Sequence, residues 1–306
     1  MAHLMNTIPE SQVERKQLER LAAQRELYSA AKVWYGWQLL ITTAIPIILA
    51  LIALIKEEFS TISAVFGAAS LFVDAYLVDR NIKSRKERAV KIQELFDCDI
   101  LQLPSSPLKV ADDIKVEEVL RHYKAHAKIP TNIEKIVGWY SKEVGEVPIH
   151  IARIICQRTN CWWDATLRKR FAHFLKYSSV VALIIVLSVG CYREMDITSI
   201  LLIIAGLTPF FQYCIKQHND NVDAIKRLDE LYYFAAQLWN RAVHDCGAEE
   251  ILTLESRRLQ DEIFNYRTNN PLILDWLYNK FRDEDEATMN ASARLLVDEA
   301  LASNCL

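Results

Sequence analysis

Apolar residues gather into four long runs, set as two close pairs with a polar insert of roughly a hundred residues between them. Trp37–Ile55 and Phe59–Val78 make the first pair, Tyr177–Tyr192 and Ile197–Ile215 the second. Each run is about 16–20 residues long, near the length a helix needs to cross hydrocarbon. Three hold no charged residue and one holds a single Asp74. Buried helices of soluble proteins are rarely so uniformly apolar over this length, so the pattern predicts a four-pass membrane protein.

The segments between the runs also read as helical. Residues 10–33 carry Val13, Leu18, Leu21 and Tyr28 at helical spacing among charges. The basic stretch after the second run continues a helix to about Phe96, and Pro104 and Pro107 break it. Short amphipathic helices follow over 112–127 and 132–140. Pro148 suits the first turn of another, running through 151–176 toward the third run. After the fourth run, 219–245 has one buried stripe and ends at Gly247. Helices over 251–266 and 272–282 come next, and an acidic run, Asp283–Glu286, leads into a last one. No alternating strand pattern and no internal repeat is evident, so the expected class is an all-α membrane protein. It has four transmembrane helices in two hairpins, with helical cytosolic middle and C-terminal regions. The expected divisions are 1–36, an N-terminal cytosolic helix; 37–78, hairpin 1; 79–176, a cytosolic helical domain; 177–215, hairpin 2; and 216–306, a C-terminal cytosolic region.

Charge sets the orientation. The link between the first two runs holds one basic residue, Lys56, and the link between the last two holds one, Arg193. By contrast Arg80, Lys83, Arg85, Lys86, Arg88 and Lys91 follow the second run, and Arg168, Lys169, Arg170 and Lys176 precede the third. The positive-inside rule then places both termini and the middle domain in the cytosol. The net charge of −3 and mean hydropathy of +0.03 conceal all this, because charged segments dilute the apolar ones. Seven scattered cysteines without a CxxC predict no disulfide framework.

Catalytic signatures are absent: no phosphate loop, GxGxxG, nucleophile elbow or HExxH occurs, and neither an enzyme nor a cofactor is expected. His122 and His126 share a helix face, but no third ligand is signposted and they read as surface histidines. Two features remain. Arg158, Trp162, Trp163 and Arg168 combine guanidinium and aromatic groups just ahead of the third run, the pairing that phosphates and flat bases require; the same residues can equally stabilise a helix bundle. In the second run Ser60, Ser63, Gly67, Ser70 and Asp74 recur at spacings of 3, 4, 3 and 4. That stripe is either a helix-packing seam or the wetted wall of a pore. Asp74, a carboxylate inside a span, is a functional candidate by default.

Several phrases then resemble a known family: Ile92-Gln93-Glu94-Leu95-Phe96-Asp97; Cys156-Gln157-Arg158-Thr159-Asn160 with Trp163-Asp164 and Leu167-Arg168; and Asn270-Pro271-Leu272-Ile273-Leu274-Asp275-Trp276-Leu277-Tyr278. With the two-plus-two hairpins, they resemble the SMODS-associated four-transmembrane effector family. The resemblance implies an anti-phage effector of the bacterial inner membrane, working with a nucleotidyltransferase whose cyclic oligonucleotide product triggers membrane disruption. The partners it implies are membrane lipid, further copies of the chain and a cyclic oligonucleotide ligand, with no DNA or RNA polymer. The residues alone also leave room for an ion channel or transporter, or for a membrane-anchored scaffold that binds a partner.

Overall fold

The computed structural model describes residues 5–104, 106 and 114–303. Among them there is no strand, and the architecture is set by a few very long helices. We label these α1 (Arg15–Ile55), α2 (Glu57–Ile100), α3 (Val116–His126), α4 (Ile149–Tyr192), α5 (Ile197–Gly206), α6 (Thr208–Val243), α7 (Glu249–Asn269) and α8 (Asp275–Ala302). Helices α1, α2 and α4 are each long and apolar enough to cross a membrane, and the bent pair α5 and α6 makes a fourth span.

The long helices run unbroken from polar into apolar sequence. A 44-residue helix such as α4 is about 66 Å long, far more than the ~30 Å of hydrocarbon, so more than half its length projects beyond. At the apolar end, large side chains such as Ile48, Leu51, Val65, Phe72, Ile184 and Leu201 point outward and are exposed. A contiguous apolar surface of that kind is stable against lipid and not against water.

Three local departures from α geometry occur, two of them at prolines. Pro46 lacks an N–H, and the helix widens just before it into a π turn over Leu40–Ala44, where the Ile45 amide donates to Leu40 O. A second π turn, Asp74–Val78, sits in α2, with the Asp79 amide donating to Asp74 O. Pro209, in the first turn of α6, breaks the fourth span, and α5 and α6 meet at 51°. The straight span expected over 197–215 is therefore bent.

At the polar end one core gathers Phe96, Ile151, Ile154, Ile155, Trp239 and Val297 from α2, α4, α6 and α8. A buried ion network threads through it. Glu94 accepts from Arg257 Nη2 at 2.7 Å and from Gln260 Nε2 at 2.9 Å. Asp97 accepts from Tyr140 OH at 2.7 Å and from Arg267. Glu94 and Asp97 are both fully buried, so the phrase from Ile92 to Asp97 is a core element.

Several expectations shift. The first long helix starts at Arg15, after a separate turn at Ile8–Ser11. The helix expected over 132–140 is only one turn, Pro130–Glu134; the chain then turns, and Gly138 takes a φ of 76° that a helix forbids. The helix expected over 112–127 is described only from Val116, and 112–113 lie outside the described residues. The acidic run Asp283–Glu286 starts no new helix: α8 passes straight through it, because Asp285 is buried and accepts from Arg170 Nη1 at 2.7 Å. Cys98, Cys156, Cys161, Cys191 and Cys214 are free, whereas Cys246 is disulfide-bonded.

Candidate functional site

The family-like phrases meet around one cleft. Its volume is about 300 Å3, within the range of small-molecule sites. One wall is the α1 face bearing Gln24, Arg25, Tyr28 and Lys32; a second is the α4 face bearing Trp163, Asp164 and Arg168. The segment from Asn270 to Tyr278 and the loop around Trp139 complete it. Residues from all three phrases line it, Gln93 representing the first.

Cations and aromatic rings alternate across these walls. The Arg25 guanidinium lies 5.3 Å from the Trp139 ring centre and 5.4 Å from that of Tyr278, and it donates to Tyr278 OH at 3.0 Å. This is a preformed cation–π stack, and no carboxylate pairs with Arg25. Lys32 stands 5.9 Å from the Tyr278 ring and pairs with Asp275. Trp163 meets Tyr278 edge to face at 5.5 Å. Three buried polar atoms of the lining have no partner: the indole N–H of Trp139, the indole N–H of Trp163, and Oε1 of Gln24. Gln24 is only 1 % exposed. Two orphan donors and one orphan acceptor in one cavity match an occupant that both accepts and donates hydrogen bonds, since such atoms are costly when left unmet.

Arg168 plays a different part. It is buried and saturated: 3.2 Å from Asp164, donating to Asn221 Oδ1 at 2.9 Å, to Pro271 O at 3.1 Å, and to Tyr266 OH. Burial opposes its charge, but Asp164 and Tyr266 outweigh that and hold the guanidinium above its usual value. It braces the cleft wall and has little left to offer a ligand.

The four residues singled out around α4 therefore separate. Trp163 and Arg168 line the cleft; Arg158 and Trp162 do not. Arg158 instead stacks 5.1 Å from the Tyr232 ring and donates to its hydroxyl at 3.1 Å. Trp276 is 49 % exposed and meets Phe174 edge to face at 5.6 Å. The sequence reading missed Arg25, Trp139 and Tyr278. No spacing in the sequence marked Arg25, which shares its helix with buried Gln17 and Gln24 but also with exposed Arg15 and Lys16.

The stripe of the second span lies within the chain. Ser60, Ser63, Gly67 and Ser70 are buried, and at Gly67 an added Cβ would come within 2.9 Å of Gly206 O. At Gly206 it would lie 2.1 Å from Ser63 Oγ. The two glycines let the backbones of α2 and α5 touch, as small residues do between membrane helices. Asp74, half-buried below the stripe, accepts from Gln38 Nε2 at 2.6 Å, and Thr42 Oγ1 donates to Gln38 O at 2.7 Å. The two π turns are thus linked by a polar contact at one level of the bundle.

Comparison with known proteins agrees with this architecture. The family model described as the SMODS-associating 4TM effector domain matches residues 6–296. A probable CBASS effector molecule of Bacillus cereus (strain VD146) is 26 % identical over 288 residues, covering 92 % of this chain and 95 % of that protein. No solved structure matches the chain. With nearly the whole length matched, this chain belongs to the SMODS-associating 4TM effector family.

Proposed function

We propose that this membrane effector acts in anti-phage defence and permeabilises the bacterial inner membrane when a cyclic oligonucleotide fills the cleft. The protein is non-enzymatic in this reading, its termini are cytosolic, and its messenger comes from a partner nucleotidyltransferase. Similarity to the probable CBASS effector of B. cereus supports the setting. The observation that carries the trigger is the cleft itself: Arg25 is stacked between Trp139 and Tyr278, beside two unsatisfied indole N–H groups. A cyclic oligonucleotide presents phosphodiester oxygens for the guanidinium and indole donors, bases to stack on the rings, and amino groups for Gln24.

Position supplies the output. Arg25 and Lys32 lie on α1 and Trp163 on α4, and both helices continue without a break into apolar spans. An occupant that shifts either helix shifts its membrane half with it. One chain with four spans encloses little volume, so a conducting path requires several copies. Within each copy the serine and glycine stripe serves as a packing seam, and Asp74 with Gln38 marks the polar level at the base of the bundle.

The test is titration calorimetry of the purified protein in detergent against a panel of cyclic di- and trinucleotides. One member is expected to bind, with affinity falling about tenfold or more in Arg25→Ala. Lack of binding by the whole panel, or equal binding by Arg25→Ala, would overturn the reading.

A further inference from the structure

A second cleft, of about 570 Å3, backs onto the first across Tyr266, Asn270, Pro271 and Leu272, which line both. It sits where the apolar runs end. Tyr35 and Gln38 flank the start of the first run, Asp79 follows the second directly, and Lys216 follows the fourth. These residues lie at headgroup depth if the runs span a bilayer.

Three charges of this cleft are firmly paired, and the other four are informative. Lys83 pairs with Asp79 at 2.7 Å, and Arg227 with Glu230 at 2.9 Å and Glu262 at 2.6 Å. What remains is two cations and two anions. Lys86 is 6 % exposed, has no carboxylate partner and spends one donor on Asn270 O. Lys216 makes a long ion pair with Asp79, at 3.8 Å, on a carboxylate already held by Lys83. Among the described residues the Asp220 and Asp223 side chains have neither a hydrogen bond nor an ion pair, though Lys216 and Lys83 lie near enough to act on Asp220. Gln217, 8 % exposed, lines the cleft with its Oε1 unpartnered. A simple anion would leave that acceptor and both carboxylates unmet, and a simple cation would leave the lysines unmet.

Order along α6 narrows the ligand further. Lys216, Asp220 and Asp223 share one helix face, with the lysine nearest the apolar run and Asp220 about 6 Å beyond it. Along α6 the cleft thus offers positive charge nearest the hydrocarbon and negative charge one turn farther out, while along α2 Asp79 comes first and Lys83 and Lys86 follow it. We propose that it holds the headgroup of a zwitterionic phospholipid with a primary ammonium, its phosphodiester on Lys216 and its ammonium on Asp220 and Asp223. Gln217 Oε1 then receives an ammonium N–H. A quaternary ammonium has no N–H to give, and an anionic headgroup would face the two carboxylates. The inference goes beyond the trigger and stands whether or not a nucleotide fills the first cleft.

The experiment is native mass spectrometry of the full chain in detergent, given equal amounts of phosphatidylethanolamine, phosphatidylcholine and phosphatidylglycerol with matched acyl chains. We expect phosphatidylethanolamine to be retained about tenfold over the other two. The double variant Asp220→Asn with Asp223→Asn should lose that preference, and Lys216→Ala should weaken retention of all three. Equal retention of the three lipids by the unmodified protein, which needs no variant, would overturn the proposal. So would an unchanged preference in the double variant. Glycerophosphoethanolamine in excess should not displace the lipid; complete displacement would identify a soluble phosphate ester as the occupant and reject the lipid.

Discussion

Around Gly67 two helices meet through backbone alone, whereas around Arg168 they meet through a buried guanidinium, a carboxylate, an amide and a phenol. At the apolar end, burial drives no association between helices, since lipid is as apolar as they are. Close approach and a few hydroxyls carry the packing. At the polar end the core is held by apolar burial and made specific by satisfied ion networks, Glu94 with Arg257 and Asp97 with Arg267. One continuous set of helices obeys both rules. The cleft is where the polar rule is left incomplete, with Arg25 lacking an anion and three polar atoms lacking partners.

Breaking the ion network gives the largest effect. Asp97→Ala leaves Arg267 buried and Tyr140 without its acceptor, and should cost about 3–5 kcal/mol in denaturant unfolding of the detergent-solubilised chain. A change below about 1 kcal/mol would show that the network is not a structural element.

The corresponding break at the apolar end is Gly67→Leu. Its side chain meets Gly206 backbone, which cannot swing aside, so the cost is about 1–3 kcal/mol or more and the α2–α5 contact opens. The distance between spin labels at the exposed positions Ile62 and Leu201 should lengthen in the variant. An unchanged distance would mean that the seam tolerates bulk and that the stripe packs differently.

Arg25→Ala sharpens the comparison. Because Arg25 has no carboxylate partner, the melting temperature should move little while affinity for the cyclic oligonucleotide falls. Arg168→Ala should do the reverse and destabilise strongly, since it removes the cation paired with Asp164 and the donor to Asn221 Oδ1. Matching profiles for the two arginines would erase the distinction between brace and ligand contact.

The smallest effect concerns pH. Burial, reinforced by Arg168 and Lys83, lowers the Lys86 ammonium from its usual 10.5 to about 8. Between those values the unfolded chain holds the extra proton, so the Lys86 contribution to stability rises with pH from about 8 to about 10.5. Lys86→Met should flatten that rise, as seen in melting temperature across the same range; a rise that persists belongs to another group.

The spans and long helices were legible because the apolar runs and helical periodicity are local signals, and Pro148 marks a real helix start, whereas the helix expected to end at Gly247 stops at Val243. Asp283–Glu286 was misleading because a charge run looks solvated until its partner is known, and the partner of Asp285, Arg170, lies 115 positions away. The same distance effect hid the cleft. Arg25, Trp139 and Tyr278 come from three separate segments, so no spacing rule could join them. Arg158 and Arg168 looked equivalent in sequence because both sit near tryptophans. Helix geometry separates them, turning Arg168 into the wall and Arg158 toward Tyr232. The bend at Pro209 was readable in principle, as a proline inside an apolar run, but composition alone does not say whether a span bends or stops.

The central claim is that occupation of the cleft and opening of the membrane are two states of one chain. Dye release from liposomes containing only this protein tests it most directly, before and after adding the cyclic oligonucleotide that binds. The account predicts release with the unmodified protein on addition of the ligand, none with Arg25→Ala, and full ligand binding without release in Gly67→Leu. Release from Arg25→Ala at the same ligand concentration, or silence of the unmodified protein with its cleft saturated, would contradict it.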